Sequence, residues 1–343
     1  MIADVIAVVL LLAVAAYACG GGTDYGAGFW DLIAGGARRG KRPRRLIDHA
    51  MAPVWEVNNV WLIFVLVIMW TGFPVMFQRL FTVMWLPLAL AAVGIVLRGA
   101  GFALRKPSRR LAGRRLYGAA FAVSSLLTPF FFGVAAGGVA SGRVTADATA
   151  SVDAWAHPTP VMFGLLAVAS TAMLGAVFLA ADARRFDAPD LDRYFRRRAW
   201  AALAALTVLA VITLFFAHDD ATHVWHGLTH GLGLLLAVTA AVCTLATAGL
   251  LLRPSGSWSR TTAVGVVACA ILAWGLAQRP YLLPTSLTVA EGAGADTTLR
   301  WLGVVTLVAL VLVMPAVALL YWLDTHGELE GLTDADLRRG GGE

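Results

Sequence analysis

PVMFGLLAVASTAMLGAVFLAA, residues 160–181, runs for 22 positions without a charged side chain. DARRFDAPDLDRYFRRR, residues 182–198, follows it with six arginines. About 20 apolar residues in a helix cover a hydrocarbon core roughly 30 Å thick. Such a run, ended abruptly by positive charge, is therefore the pattern of a membrane crossing that stops at the cytoplasmic surface. The same alternation recurs along the chain. Eight further apolar segments lie at 2–22, 54–73, 80–104, 116–140, 198–217, 226–252, 261–278 and 299–323. Uninterrupted runs exclude an outer-membrane barrel, whose strands alternate over about ten residues. Lipid offers no partner to backbone amides, so the segments are read as helices.

Composition agrees. Of 343 residues, 59% are hydrophobic and only 14% charged. A soluble fold would expose far too much apolar surface, and a disordered chain would not contain it. Cys19, Cys243 and Cys269 all sit in apolar runs, so no disulfide framework is expected. Met1-Ile2-Ala3-Asp4 lacks a basic leader, so the first run is read as a span rather than a signal peptide.

The connections after spans 1, 3, 5, 7 and 9 carry 22 of the 27 Lys and Arg. The even-numbered connections carry Arg79, Arg143, Arg279 and Arg300. This asymmetry places the N-terminus outside and the C-terminus in the cytoplasm. The net charge of +6 is spread over short loops, as topology alone requires, so no nucleic-acid partner is expected. The fold class expected is an all-α polytopic membrane protein with nine transmembrane helices in one integral membrane domain.

Ionisable groups inside a span are expensive and are functional candidates. Three stand out near the cytoplasmic ends of their spans: Asp24 in TDYGAG (23–28), Glu56 in PVWEVNNVW (53–61), and Arg98 in LRGAGF (97–102). Glu56 and Asn59 are three apart and share a helix face; Asn58 and Trp61 share a neighbouring one. Together they make a polar patch flanked by Trp55 and Trp61. Two readings stay open. A carboxylate among amides can relay protons from the cytoplasm. Equally, a glutamate in a first turn complements the helix dipole, and tryptophan belongs at the membrane boundary. Asp24 has the same ambiguity, because its glycines either admit a neighbouring helix or simply end their own. Arg98 either balances a carboxylate or snorkels to the interface.

His223, His226 and His230 fall on one face if a helix begins by residue 222. They form a weak alternative metal site, against the simpler reading of a polar helix end with no metal.

APVWEVNNVWL (52–62) resembles the signature of subunit II of the cytochrome bd quinol oxidases, approximately P-x-W-D-G-N-x-V-W-L. TDYGAG (23–28) resembles that family's G-F-D-x-G-V-G at the end of helix 1. WGLAQRPYLLP (274–284), TSLT (285–288) and DTTL (296–299) resemble its segment between helices 8 and 9. The resemblance covers essentially the whole chain, with departures. Glu56 stands where the family usually has aspartate, Val57 where it has glycine, and glycine replaces an acidic residue often found shortly before Asp24.

The resemblance implies two four-helix bundles plus one helix, in the bacterial cytoplasmic membrane. It implies a heterodimer with a subunit I that holds the b and d haems and oxidises membrane quinol, sometimes with small single-span subunits. This chain would ligate no haem. It would complete the cofactor surround, with Trp55 and Trp61 at the interface, and hold a quinone or lipid in some members. It would supply a proton path through Glu56, Asp24, Asn58 and Asn59, with Arg98 as charge partner. The competing functions are a solute or ion transporter and a structural partner of another redox complex. Transporter sites lie near the bilayer midplane, whereas these polar residues gather at one membrane face.

No span contains a His or Met pair placed to grip an iron. The chain purified alone is therefore predicted to show no haem absorbance, whereas the complex with its partner shows it. A stoichiometric haem spectrum from the isolated chain would overturn this.

Overall fold

A computed structural model describes residues 1–36, 40–50, 54–105, 111–147, 149–252 and 258–325. The helices in chain order are α1 (Ile2–Leu32), α2 (Lys41–Ala50), α3 (Val54–Gly72), α4 (Pro74–Val83), α5 (Trp85–Arg105) and α6 (Leu111–Ala140). They continue with α7 (Pro158–Arg185), α8 (Pro189–Asp220), α9 (Thr222–Thr229), α10 (Gly231–Leu252) and α11 (Trp258–Ala277). A small antiparallel hairpin of β1 (Tyr281–Leu283) and β2 (Leu287–Thr288) leads to α12 (Val289–Gly292) and α13 (Asp296–Thr325). Among the described residues, seven helices (α1, α6, α7, α8, α10, α11 and α13) are long and apolar enough to cross a membrane. The bent pair α3–α4 counts as an eighth if taken as one span, and α5 offers a shorter apolar stretch, Trp85–Gly101.

α7, α8, α10 and α11 pack in a closed ring of four, each against the next. The other long helices gather around α1, which meets α3, α6, α7, α11 and α13. This central place explains the main departure from the expected boundaries. Span 1 was expected to end at residue 22, but α1 continues unbroken through the glycines to Leu32. The glycines are contact points. A Cβ on Gly26 would fall on the carbonyl of Thr171, and one on Gly175 would strike the backbone of Gly26. The α1 and α7 backbones thus touch, as small residues allow in membranes. Trp30 Nε1 then donates to Ala172 O at 2.8 Å, adding a polar bond across the same seam.

Further boundaries differ: α8 starts at Pro189 rather than 198, so Arg193, Arg196 and Arg197 lie in a helix rather than a loop. Residues 74–83 form a separate helix bent 115° from α3, and α5 starts at Trp85 rather than 80. Pro74 forces the break, since the residue before proline is driven out of helical conformation, and Phe73 adopts φ −135°, ψ 62°. Pro74 then suits the first turn of α4. Likewise the expected helix 226–252 is divided. His230 is extended and Gly231 takes φ +56°, a left-handed conformation that glycine adopts without strain.

Ion pairs tie both ends. At the end carrying Met1, Arg143 grips Asp220 through two bonds of 2.7 and 2.6 Å, and Arg79 donates to Ser286 O at 3.1 Å. There, too, Thr288 caps α12; its backbone N–H and hydroxyl donate to Glu291 and hold that carboxyl below the usual range. At the arginine-rich end, Arg44 meets buried Asp31 at 2.9 Å, Arg42 meets Asp190, and Arg260 meets Asp182. α2 docks there by burying Leu46 and Ile47, so the basic stretch after span 1 is an amphipathic helix rather than a plain loop.

Overpacking a tight contact typically costs about 1–3 kcal/mol. Gly26→Val and Gly175→Val should each lower the Tm of the purified protein by this mechanism. Gly249→Ala, whose added methyl meets nothing within 4 Å, should leave it unchanged. Equal thermal unfolding of all three variants would show that the seam does not limit stability.

Candidate functional site

The glycine run that lets α7 approach also sets Asp24 in the interior, 2% exposed. Its partner comes from α5. Arg98, also 2% exposed, donates from Nε to Asp24 Oδ2 at 3.0 Å and from one terminal nitrogen to Oδ1 and to the Asp24 carbonyl, both at 2.7 Å. Its other terminal nitrogen donates to Ser125 Oγ on α6, which in turn donates to Phe121 O at 2.8 Å. The guanidinium lies between the rings of Tyr25 and Phe121, 4.7 and 4.4 Å from their centroids. A bare charge in this setting would be prohibitive, and here carboxylate, hydroxyl, carbonyl and π faces together replace water. Gly28 is required for this arrangement, since a Cβ there would collide with Ser125. Arg98 does not snorkel; it links α1, α5 and α6.

α3 brings the second polar patch to the same helix. Asn58 is 3% exposed and lies against Gly20 and Gly21 of α1; a Cβ on Gly21 would come 2.8 Å from its Nδ2. Asn58 Oδ1 is buried without a protein hydrogen-bond partner. Buried polar atoms of this kind are normally satisfied by water. Gly20 and Gly21 precede Asp24 by four and three residues, so the Asn58 contact and Asp24 occupy one face of α1. Asn59 is half-buried and engaged, and Trp61 meets Phe64 edge to face at 6.2 Å. The side chains of Trp55 and Glu56 lie outside the described residues; the backbone puts Glu56 in the first turn of α3, two residues before Asn58.

The sequence reading missed Tyr17, Tyr25, Phe121 and Ser125 as neighbours of this site. Tyr17 and Tyr25 face each other with hydroxyls 3.3 Å apart. Their spacing of eight residues on α1, two turns, was the available signal.

The histidines do not share one helix face, because the chain breaks at His230. His226 and His230 stack at 4.1 Å with planes 12° apart, and His223 Nε2 reaches the carbonyls of Gln278 and Arg279. Among the described residues no group of three His, Cys, Asp or Glu side chains is placed to hold a metal ion. Haem iron takes His, Met, Cys or Tyr ligands. Here every described histidine lies in α2 or near a helix end, and buried Met69, Met84 and Met173 are wrapped in apolar clusters.

Residues 2–324 match the family described as cytochrome bd terminal oxidase subunit II. The cytochrome bd-I ubiquinol oxidase subunit 2 of Escherichia coli (strain K12) is 24% identical over 361 residues, covering 93% of this chain and 92% of that one. A Bacillus subtilis (strain 168) chain, named as a candidate subunit II of a cytochrome bd menaquinol oxidase, is 24% identical over 309 residues, covering 85% of this chain and 86% of that one. The solved bd oxidase from Geobacillus thermodenitrificans superposes with a TM-score of 0.78 at 26% identity, over 94% of this chain and 98% of that chain.

Removing one partner of a buried ion pair costs about 3–5 kcal/mol, whereas replacing both with apolar groups can be nearly neutral. Arg98→Leu should therefore cut the yield of folded protein sharply. Adding Asp24→Leu to it should restore part of that yield, as measured by size-exclusion chromatography after detergent extraction. Normal assembly of the single variant would mean that Asp24 is satisfied without Arg98.

Proposed function

The chain belongs to the cytochrome bd terminal oxidase subunit II family, and from that premise we propose how it serves the oxidase: it gathers protons for oxygen reduction from the arginine-rich end of the bundle, which faces the cytoplasm. As subunit II of a bd-type quinol oxidase it is part of a membrane oxidoreductase complex. Its partner in this proposal is the haem-bearing subunit I, which also oxidises the quinol and supplies the redox chemistry. In the proposed topology nine spans cross the bacterial cytoplasmic membrane with the N-terminus outside, as two four-helix bundles and one further helix. The ring of α7, α8, α10 and α11 supports one such bundle, and the bias of basic residues supports the orientation.

The observation that carries the proton reading is the buried polar track on α1: unsatisfied Asn58 Oδ1 against Gly20 and Gly21, then Asp24 held by Arg98. Glu56, in the first turn of α3, exchanges a proton with the cytoplasm. Asn58 and Asn59 hold water beyond it and pass the proton inward. Asp24 has both carboxylate oxygens committed to Arg98, so it acts chiefly by fixing the field along the track. A proton resting on it has to loosen a guanidinium bond. Trp55 and Trp61 close the patch against lipid and the partner subunit. Quinone or lipid binding by this chain belongs to the same proposal and is supported by the family alone.

Glu56→Gln keeps volume and hydrogen bonding but ends proton exchange. The complex carrying it should assemble with normal haem content while oxygen uptake at saturating quinol falls at least roughly tenfold, as general acid–base groups are commonly worth about 10²–10⁴. Glu56→Asp should retain most turnover. Full oxygen uptake by Glu56→Gln would reduce the residue to a helix cap.

A further inference from the structure

α9 folds back on α11 at the end carrying Met1, and the two are pressed together. A Cβ on Gly227 would fall on the Ala277 carbonyl, while Val224 and Ala277 are buried between them. The break at His230–Gly231 turns the chain away at that point and leaves a cavity of about 240 Å³. A water occupies about 30 Å³ of liquid, so there is room for a group several times larger. His223, His226, His230 and Arg279 line it, together with Leu232 and Leu276. No carboxylate is among the lining residues.

The neighbours of these rings decide what the cavity holds. His223 Nε2 sits 3.1 Å from Gln278 O and 3.2 Å from Arg279 O, so it carries the hydrogen. His230 Nδ1 sits 2.9 Å from His226 O and likewise carries one. A metal ion is disfavoured, because stacked rings 4.1 Å apart cannot aim in-plane lone pairs at one point. The lining therefore offers a guanidinium and imidazole nitrogens with no carboxylate among them, a set that suits an anion seated beside the stacked pair rather than a cation. Asp4 meets Arg279 at 3.4 Å in a pair whose side chains are 58% and 49% exposed and so screened by solvent; Asp219 pairs with His218, and Asp220 with Arg143 and His157. The remaining titratable neighbour, Tyr281, meets the His223 ring edge to face at 5.1 Å.

We propose that this cavity is a phosphate-binding site. Phosphate is the anion a membrane supplies in quantity, and the cavity opens beside an apolar ridge. Leu232, at its mouth, is 63% exposed, and Leu235, Val238, Val242 and Leu245 continue that exposed surface along α10. A phospholipid seated with its phosphate among His226, His230 and Arg279 would lay its acyl chains along this ridge. Free inorganic phosphate would satisfy the same charges without using the ridge.

The test uses the purified oxidase complex, delipidated in detergent and labelled with ¹⁵N at histidine. It is titrated separately with inorganic phosphate and with short-chain phosphatidylglycerol. Ring signals assigned to His223, His226 and His230 should move, while the other four of the seven histidines stay still. A response to the lipid alone identifies a headgroup site; a response to both identifies a general phosphate site. Arg279→Gln should weaken the apparent affinity roughly tenfold or more, the usual weight of one charge-assisted bond. Native mass spectrometry of unlabelled wild-type complex provides a reading that needs no variant, through a phospholipid that survives delipidation. The proposal is overturned if neither probe moves the three signals. It is equally overturned if zinc at stoichiometric concentration moves them and blocks the response to phosphate.

Discussion

Where the backbones of α1 and α7 meet, at Gly26 and Gly175, no side chain separates them. Lipid tails are as apolar as leucine, so the hydrophobic effect does little to press membrane helices together, and close packing with interhelical polar bonds takes over. The seam has both: the glycine contact and the Trp30 indole bonded to the Ala172 carbonyl. Its position is decisive because α1 meets five other long helices. With α1 held at that depth and rotation, Asp24 points toward α5, and Gly20 and Gly21 lie under Asn58 of α3.

The ion pair of Asp24 and Arg98 is a different kind of constraint. Desolvating two charges offsets most of what their attraction contributes, so the pair is a poor source of net stability. Its consequence is geometric. Every polar contact of the guanidinium is to a fixed partner on α1 or α6, and two aromatic faces cover it. A slip of α5 along α1 by one residue would leave both charges unpaired in low dielectric. The site thus sets the register between helices that are otherwise smooth and apolar.

The two ends of the bundle differ in a way that follows from their chemistry. At the arginine-rich end, carboxylates at helix ends (Asp31, Asp182, Asp190) draw some arginines into ion pairs. Those arginines therefore brace the structure. At the other end the Arg143–Asp220 pair is joined by backbone carbonyls, which accept from Arg79 and Ser286 to hold the hairpin turn. The histidine-lined cavity lies at this same end, beside the pair of Arg279 and Asp4.

The sequence alone determined that the chain is a helical, polytopic membrane protein, where most of its apolar segments lie, and which family it resembles. Hydropathy and charge are properties of a segment and its solvent, so they can be read one stretch at a time. It also singled out Asp24, Glu56 and Arg98 as ionisable groups out of place, with Asn58 in the polar patch around Glu56. What it left open was decided by neighbours distant in the chain. The glycines at 20–28 were legible either as a helix end or as a place of close approach, and only Thr171 and Gly175 on α7 settled that α1 runs through them. Arg98 had several conceivable partners until α5 was set beside α1 and α6. Asn58 had no visible counterpart, because a glycine advertises no contact in one dimension. The break at His230 depends on a single left-handed glycine, and the cavity it opens depends on α9 meeting α11 some fifty residues later. Local solvation wrote the spans into the sequence; which buried polar atoms meet depends on three-dimensional proximity, and that exists only once the helices have packed.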